Sequence, residues 1–159
     1  MQFFNLISLL ALAAFTSALA LPPASDLTSR FLTIQSTYVE PREAPWCFGG
    51  DGGTFTGINE GIATLRARAV EADAFVLGTN AQMGGQCLRL TCSYSAAIWA
   101  CNDADVSALV TFENVARYAE NIRDACGPAS NMVWAHGQQF ASEATGLKWN
   151  IIVGRDASC

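Results

Sequence analysis

The chain is poor in charged residues and in catalytic side chains. Among its 159 residues there is one histidine, His136, and one lysine, Lys148. Charged residues make up 14% of the chain, its formal net charge is −5, and its arginines are scattered. Because no basic stripe is present, we expect no binding to nucleic acid. The acidic balance also disfavours binding to anionic membranes.

The common signatures of hydrolases are missing as well. No Gly-x-Ser-x-Gly elbow occurs, and a general base at His136 lacks a recognisable nucleophile or second histidine. We therefore predict that His136 is a surface residue at a strand end and that no residue is catalytic. Asp103 and Asp105 leave open a small hydrolase with two carboxylates, because their separation decides that mechanism and is invisible in a sequence.

Cysteine, in contrast, is plentiful. The six cysteines are Cys47, Cys87, Cys92, Cys101, Cys126 and Cys159. An even number of cysteines in an exported chain predicts disulfides. The spacings Cys87-x4-Cys92 and Cys92-x8-Cys101 lack the paired CxxC knuckle of zinc sites. We therefore expect three disulfides, no metal and no other cofactor.

Export is predicted from residues 1–20, which form an apolar leader. Its apolar run, Leu6 to Ala14, is shorter than the ~20 residues needed to cross a bilayer. It is followed by Ala18-Leu19-Ala20, the small-x-small pattern that signal peptidase accepts. We predict cleavage after Ala20, a secreted extracellular protein and no stable membrane insertion.

The remainder divides into two parts. Residues 21–45 hold four of the five prolines and no cysteine, which predicts a propeptide or a flexible N-terminal arm. Residues 46–159 are predicted to form one disulfide-bonded domain, since the composition of the whole chain, leader included, is globular, with 51% hydrophobic and 14% charged residues. The run CFGGDGG at Cys47–Gly53 predicts a tight turn.

Two helices are predicted from apolar residues at 3–4 spacing. The first covers about Ile58 to Val70, with Thr56 as a possible N-cap. The second and stronger one covers about Thr111 to Cys126 and is stopped by Gly127 and Pro128.

Alternating side chains predict a β-hairpin from Cys87 to Cys101. A three-residue loop centred on Tyr94 would place Cys87 opposite Cys101 on the same face, which predicts a disulfide between them. A last strand is predicted over Leu147–Val153, with Leu147, Trp149, Ile151 and Val153 alternating against Lys148, Asn150 and Ile152.

Short strands are expected within Glu71–Leu77 and Met132–Ala135. The strands are amphipathic, as in an antiparallel sheet with one covered face. We predict an α+β fold, a two-layer sandwich of an antiparallel β-sheet packed with two helices and held by three disulfides.

The four tryptophans offer two interpretations. Trp46, Trp99, Trp134 and Trp149 could form a face on which carbohydrate stacks, as in a carbohydrate-binding wall protein. Tryptophans at strand positions are more often buried in the core, and we predict that location here.

The part of the chain from Cys87 to Cys159 resembles small secreted fungal proteins. The resemblance lies in SAAIWACND, in a single amphipathic helix ending in Cys126-Gly127, in GLKWNIIVG and in Cys159. The chain resembles the killer-toxin-4-like group and the necrosis-inducing extracellular effector group of plant-associated fungi. Both groups imply an α/β sandwich with an antiparallel sheet.

The resemblance implies a non-enzymatic fungal effector or killer-toxin-like virulence protein. We expect a monomer that binds an unknown extracellular or host protein target. The killer-toxin pattern is basic and has more cysteines, whereas this chain is acidic. Cation-channel block is therefore not carried over.

The remaining four cysteines can pair in two ways. Geometry alone allows Cys92–Cys126, because both lie on apolar stripes, with Cys47–Cys159 joining the chain ends. The killer-toxin resemblance implies Cys47–Cys126 and Cys92–Cys159 instead, and we favour that set.

Overall fold

The computed structural model describes residues 39–79, 86–127, 133–141 and 148–159. The two helices within these ranges are α1 (Phe55–Glu71) and α2 (Phe112–Cys126). The strands are β1 (Trp46–Cys47), β2 (Gly53–Thr54), β3 (Ala74–Leu77), β4 (Gln86–Ser93), β5 (Ala96–Asn102), β6 (Ala108–Thr111), β7 (Trp134–Ala135), β8 (Gly137–Phe140) and β9 (Trp149–Arg155).

Five strands form one antiparallel sheet in the order β1-β8-β9-β5-β4. Two small antiparallel pairs, β2–β7 and β3–β6, complete the strands of the described residues. Both helices pack on the same face of the large sheet, α1 over β4 and β5 and α2 over β8 and β9. The predicted α+β fold, with an antiparallel sheet, two helices and three disulfides, is confirmed.

The core lies between the helices and that face. Trp149, Ile151 and Val153 of β9 are all at most 1% exposed and point toward the helices. The ring of Tyr118 on α2 lies 4.9 Å from that of Trp149. The alternation predicted for the last strand therefore correctly identifies the face that the helices cover.

Each helix begins at a threonine cap. The Thr111 hydroxyl accepts from the Asn114 N–H (3.1 Å), so α2 begins where its pattern predicts. The Thr54 hydroxyl accepts from the Gly57 N–H (3.2 Å), and α1 begins at Phe55. The expected cap at Thr56 is therefore wrong, because Thr56 lies inside the first turn.

The hairpin pairs Cys87 with Cys101, as predicted, but its turn is shorter than expected and one strand contains a bulge. Its turn contains two residues, Tyr94 and Ser95, both with positive φ (45° and 59°), as a tight type I′ connection requires. A bulge between Arg89 and Thr91 then shifts the register by one residue. The expected three-residue loop is wrong, and turn and bulge together restore the expected pairing.

The domain begins earlier than predicted. Val39 lies in the predicted arm, yet its N–H donates to Asn114 Oδ1 (3.3 Å) and its carbonyl accepts from the Tyr118 hydroxyl (2.9 Å). Both partners belong to α2, so the chain is held in the domain from Val39 onward. Residues 1–38, including the predicted leader and its cleavage site, lie outside the described residues.

Within the ranges that the structure describes, no helix is long and apolar enough to span a membrane.

Candidate functional site: the outer face of the sheet

Three disulfides stabilise the sheet, one between two of its strands and two between the sheet and other parts of the chain. They join Cys47 to Cys126, Cys87 to Cys101, and Cys92 to Cys159. The first ties β1 to the end of α2, and the third ties β4 to the C-terminus. This is the pairing implied by the resemblance, and the alternative that geometry had left open is not formed.

The face of the sheet away from both helices carries a row of side chains. The pairing register places Trp46, Gln138, Ile152, Trp99 and Arg89 opposite one another on β1, β8, β9, β5 and β4. Directly opposed residues point to the same side of a sheet. We call these five residues the outer row.

The outer row is accessible along much of its length. Trp46 is 55% exposed, and Gln138, Ile152 and Trp99 are half-buried. Three strand spacings separate the two tryptophans, which corresponds to about 14 Å between their backbones. The row is therefore a long, shallow and mostly apolar surface with an amide near one end.

Other aromatic rings flank the outer row. The Phe140 ring lies 5.7 Å from that of Trp46 in an edge-to-face arrangement. On the other side, Phe48 and His136 meet edge to face at 5.0 Å. His136 lies over Gly154, where an added Cβ would come within 2.9 Å of its ring. Glycine at position 154 therefore gives His136 its place on this face.

A chain of hydrogen bonds fixes the amide of the outer row. Asn150, which is 1% exposed, donates from Nδ2 to Asp103 Oδ2 (2.6 Å). Because its amino group is held this way, its Oδ1 accepts from Gln138 Nε2 (2.8 Å). The carboxylate of Asp103 therefore sets the orientation of the Gln138 amide through Asn150.

The far end of the outer row is closed by the C-terminal segment. Arg89 donates to Asp156 Oδ2 (2.6 Å) and to Ser158 Oγ (2.7 Å). Ser158 donates to Asp156 Oδ1 from its hydroxyl (2.7 Å) and its N–H (2.9 Å). These Ser158 bonds, with a smaller effect of Arg89, lower the pKa of Asp156 from 3.8 to about 2. The positive charge of Arg89 is thus already paired.

The tryptophans do not share one location. Trp149 is in the core, as predicted, but Trp46 is largely exposed and Trp99 and Trp134 are half-buried. The prediction of core positions therefore holds for Trp149 and is wrong for Trp99, Trp134 and, most clearly, Trp46. It sits on β1, a two-residue edge strand on the uncovered side, where nothing in the described chain covers its ring.

The acidic pair and the histidine have different partners within the described residues. Asp103 and Asp105 lie in the loop after β5, and Asp103 is hydrogen-bonded to Asn150. His136 contacts Phe48, and no side chain of the described segments hydrogen-bonds to its Nδ1.

The glycine-rich turn borders a second depression. An open cleft of about 400 Å³ is lined by Asp51, Gly52, Thr54, Ser95, Val133, Trp134 and Arg155. Its two charges form an exposed ion pair, Arg155 to Asp51 at 2.9 Å. Gly52 is required because an added Cβ would collide with the carbonyl group of Ala135. The predicted turn at Cys47–Gly53 therefore brings backbone segments close together.

Comparison with known proteins gives no match: no family model, no curated protein and no solved structure is similar to this chain.

Three residues of this face carry no functional signal in the sequence: Gln138, Phe140 and Ile152. In the alternation of the last strand, Ile152 is the apolar residue on the side that it shares with Lys148 and Asn150. Strand β8 (GQQF) shows no clear alternation of apolar and polar residues, because the positions that face the helices are Gly137 and Gln139. Its outward residues could be recognised only after its pairing with β9 was known.

Proposed function

We propose that this chain is a secreted fungal protein of the effector or killer-toxin-like type that acts by binding an extracellular or cell-surface target. The observation that carries the proposal is the outer row, an exposed aromatic surface on a sheet held by three disulfides. Exposed apolar surface of this kind is typical of interaction sites. A rigid scaffold reduces the entropy lost on binding.

Export is supported by two features of the sequence. The apolar leader ends in Ala18-Leu19-Ala20, and all six cysteines form disulfides, which persist in oxidising compartments. Intact-mass measurement of protein recovered from a fungal culture medium tests this part. We expect a species that begins at Leu21 or further downstream. A membrane-bound species that retains residues 1–20 would contradict secretion.

Binding through the outer row is tested by applying purified protein to plant tissue and to yeast lawns. Trp46→Ala removes the most exposed ring of the outer row, and we expect the biological response to fall with it. Tyr94→Asn is the matched control, because Tyr94 is 61% exposed at the hairpin turn and asparagine tolerates its positive φ.

Both variants should keep three disulfides and the parent circular dichroism spectrum. A response to folded Trp46→Ala equal to that of the parent contradicts the proposed binding surface.

A further inference from the structure

The outer row combines two kinds of group that one ligand class uses together. It contains two tryptophan rings, and between them lies Gln138, an amide whose orientation is fixed by Asn150 and, through Asn150, by Asp103. Aromatic rings offer flat apolar area, and a fixed amide offers a directed donor and acceptor. Sugar rings present apolar C–H faces and equatorial hydroxyls, which match both.

We infer that the outer row binds a neutral, extended polysaccharide, with sugar rings against Trp46 and Trp99 and a hydroxyl at Gln138. This inference rests on the proposed function and names the chemistry of the target. The row spans about 14 Å between its tryptophan backbones, a length suited to a chain of several sugars rather than to one.

The amide of Gln138 is prepared for a ligand. One of its two amino hydrogens is used by Asn150, and within the described ranges no group hydrogen-bonds to its Oε1. A buried amide and a carboxylate are thus arranged to orient a half-buried glutamine on an otherwise apolar surface. A purely apolar partner would gain nothing from this arrangement and would leave the amide poorly solvated.

The charges of the surface favour a neutral ligand. Arg89, the charged member of the outer row, is hydrogen-bonded to Asp156 and Ser158. Asp103 is hydrogen-bonded to Asn150. A formal net charge of −5 repels an anionic polymer, and a polymer of either sign would find Arg89 and Asp103 already bonded to protein groups, so stacking and hydroxyl contacts are left as the source of specific affinity.

The first test is a pull-down of the full secreted protein on insoluble chitin, β-1,3-glucan and cellulose. We expect depletion from the supernatant by at least one of them, unchanged when NaCl is raised to 1 M, because salt screens only interactions between charges. Affinity for the matching soluble oligosaccharide is then measured by calorimetry. Absence of binding to all three polysaccharides overturns the inference.

Three variants then locate the site. We expect Trp46→Ala and Gln138→Leu each to weaken the binding by about tenfold or more, the scale of a central contact in an interface. Tyr94→Asn should leave it unchanged. Thermal unfolding and disulfide mass mapping verify that each variant is folded. Unchanged or tighter binding by folded Gln138→Leu overturns the inference, because only an apolar partner favours leucine there.

The tissue and yeast assays separate the two proposals. If Trp46→Ala abolishes the biological response while the parent binds no polysaccharide, the target is of another class: the glycan inference fails and the proposed function stands. If polysaccharide binding is lost in Trp46→Ala but the response is not, the glycan inference stands and the proposed mode of action fails.

Discussion

Helix α1 approaches the sheet so closely that there is no room for a side chain at Gly57. Gly57 lies in its first turn, where an added Cβ would collide with the carbonyl oxygen of Ser93 and lie 2.8 Å from Ala96 Cβ. Neither obstacle is the end of a flexible side chain, because one is backbone and the other is a methyl group attached to it. Gly57→Ala therefore requires the helix and the β4–β5 hairpin to separate.

The change in the free energy of unfolding caused by Gly57→Ala follows from two opposing effects. Overpacking of a tight contact costs about 1–3 kcal/mol, and a collision with backbone belongs at the upper end of that range. Alanine in place of glycine favours the helix by at most about 1 kcal/mol. We expect the free energy of unfolding of Gly57→Ala to fall by about 2 kcal/mol, with a decrease in Tm of roughly 10 °C for a domain of this size.

Gly61→Ala is the matched control, one helical turn further along the same face. There an added Cβ would meet Thr91 Oγ1 at 2.7 Å and Ile98 Cδ1 at 2.9 Å, both at the ends of side chains that can rotate. We expect a change within about 1 kcal/mol, since the helix preference of alanine offsets the adjustment. Urea and thermal unfolding with intact disulfides measure both variants. A Gly57→Ala protein as stable as the parent would refute the reasoning.

Three other predictions concern the pH response, a disulfide and the histidine. Because the pKa of Asp156 is lowered from 3.8 to about 2, its stabilising effect is complete above about pH 4 and is lost as pH falls toward 2. The difference in Tm between the parent and Asp156→Asn should therefore shrink over that interval, and a constant difference would contradict it. The Cys47–Cys126 bridge spans 79 residues, so replacing both cysteines by alanine should lower the free energy of unfolding by about 4.5 kcal/mol in urea titrations. A loss below that expected for the 14-residue Cys87–Cys101 bridge, about 3 kcal/mol, would oppose the chain-entropy argument. His136→Ala should keep biological activity within a few-fold of the parent, whereas a loss of roughly 100-fold with the fold intact would indicate a general base.

Much of the fold was predictable from local patterns. Helix α2 follows from 3–4 spacing of apolar residues after Thr111, and the covered face of β9 follows from strict alternation. Both patterns report which side of an element is buried, which is a local property. The Cys87–Cys101 pairing was also predictable, because it needs only two neighbouring strands.

Short elements were harder to predict. Strands β1, β2 and β8 have two to four residues each, and they exist because distant partners pair with them. The two-residue turn at Tyr94 and the compensating bulge could not be separated from a three-residue loop, because both place Cys87 opposite Cys101. Sequence spacing alone does not distinguish backbone conformations that give the same strand register.

The sequence by itself determined the Cys87–Cys101 pairing, the two amphipathic helices and the alternation of the principal strands, because each depends on residues near one another in the chain. Only the tertiary structure decided which face of the sheet stays uncovered and which residues meet there. Trp46, Gln138, Ile152 and Trp99 come from four strands, and Trp46 and Gln138 are 92 positions apart. Long-range strand pairing assembles them, and the packing of both helices on the opposite face leaves them accessible.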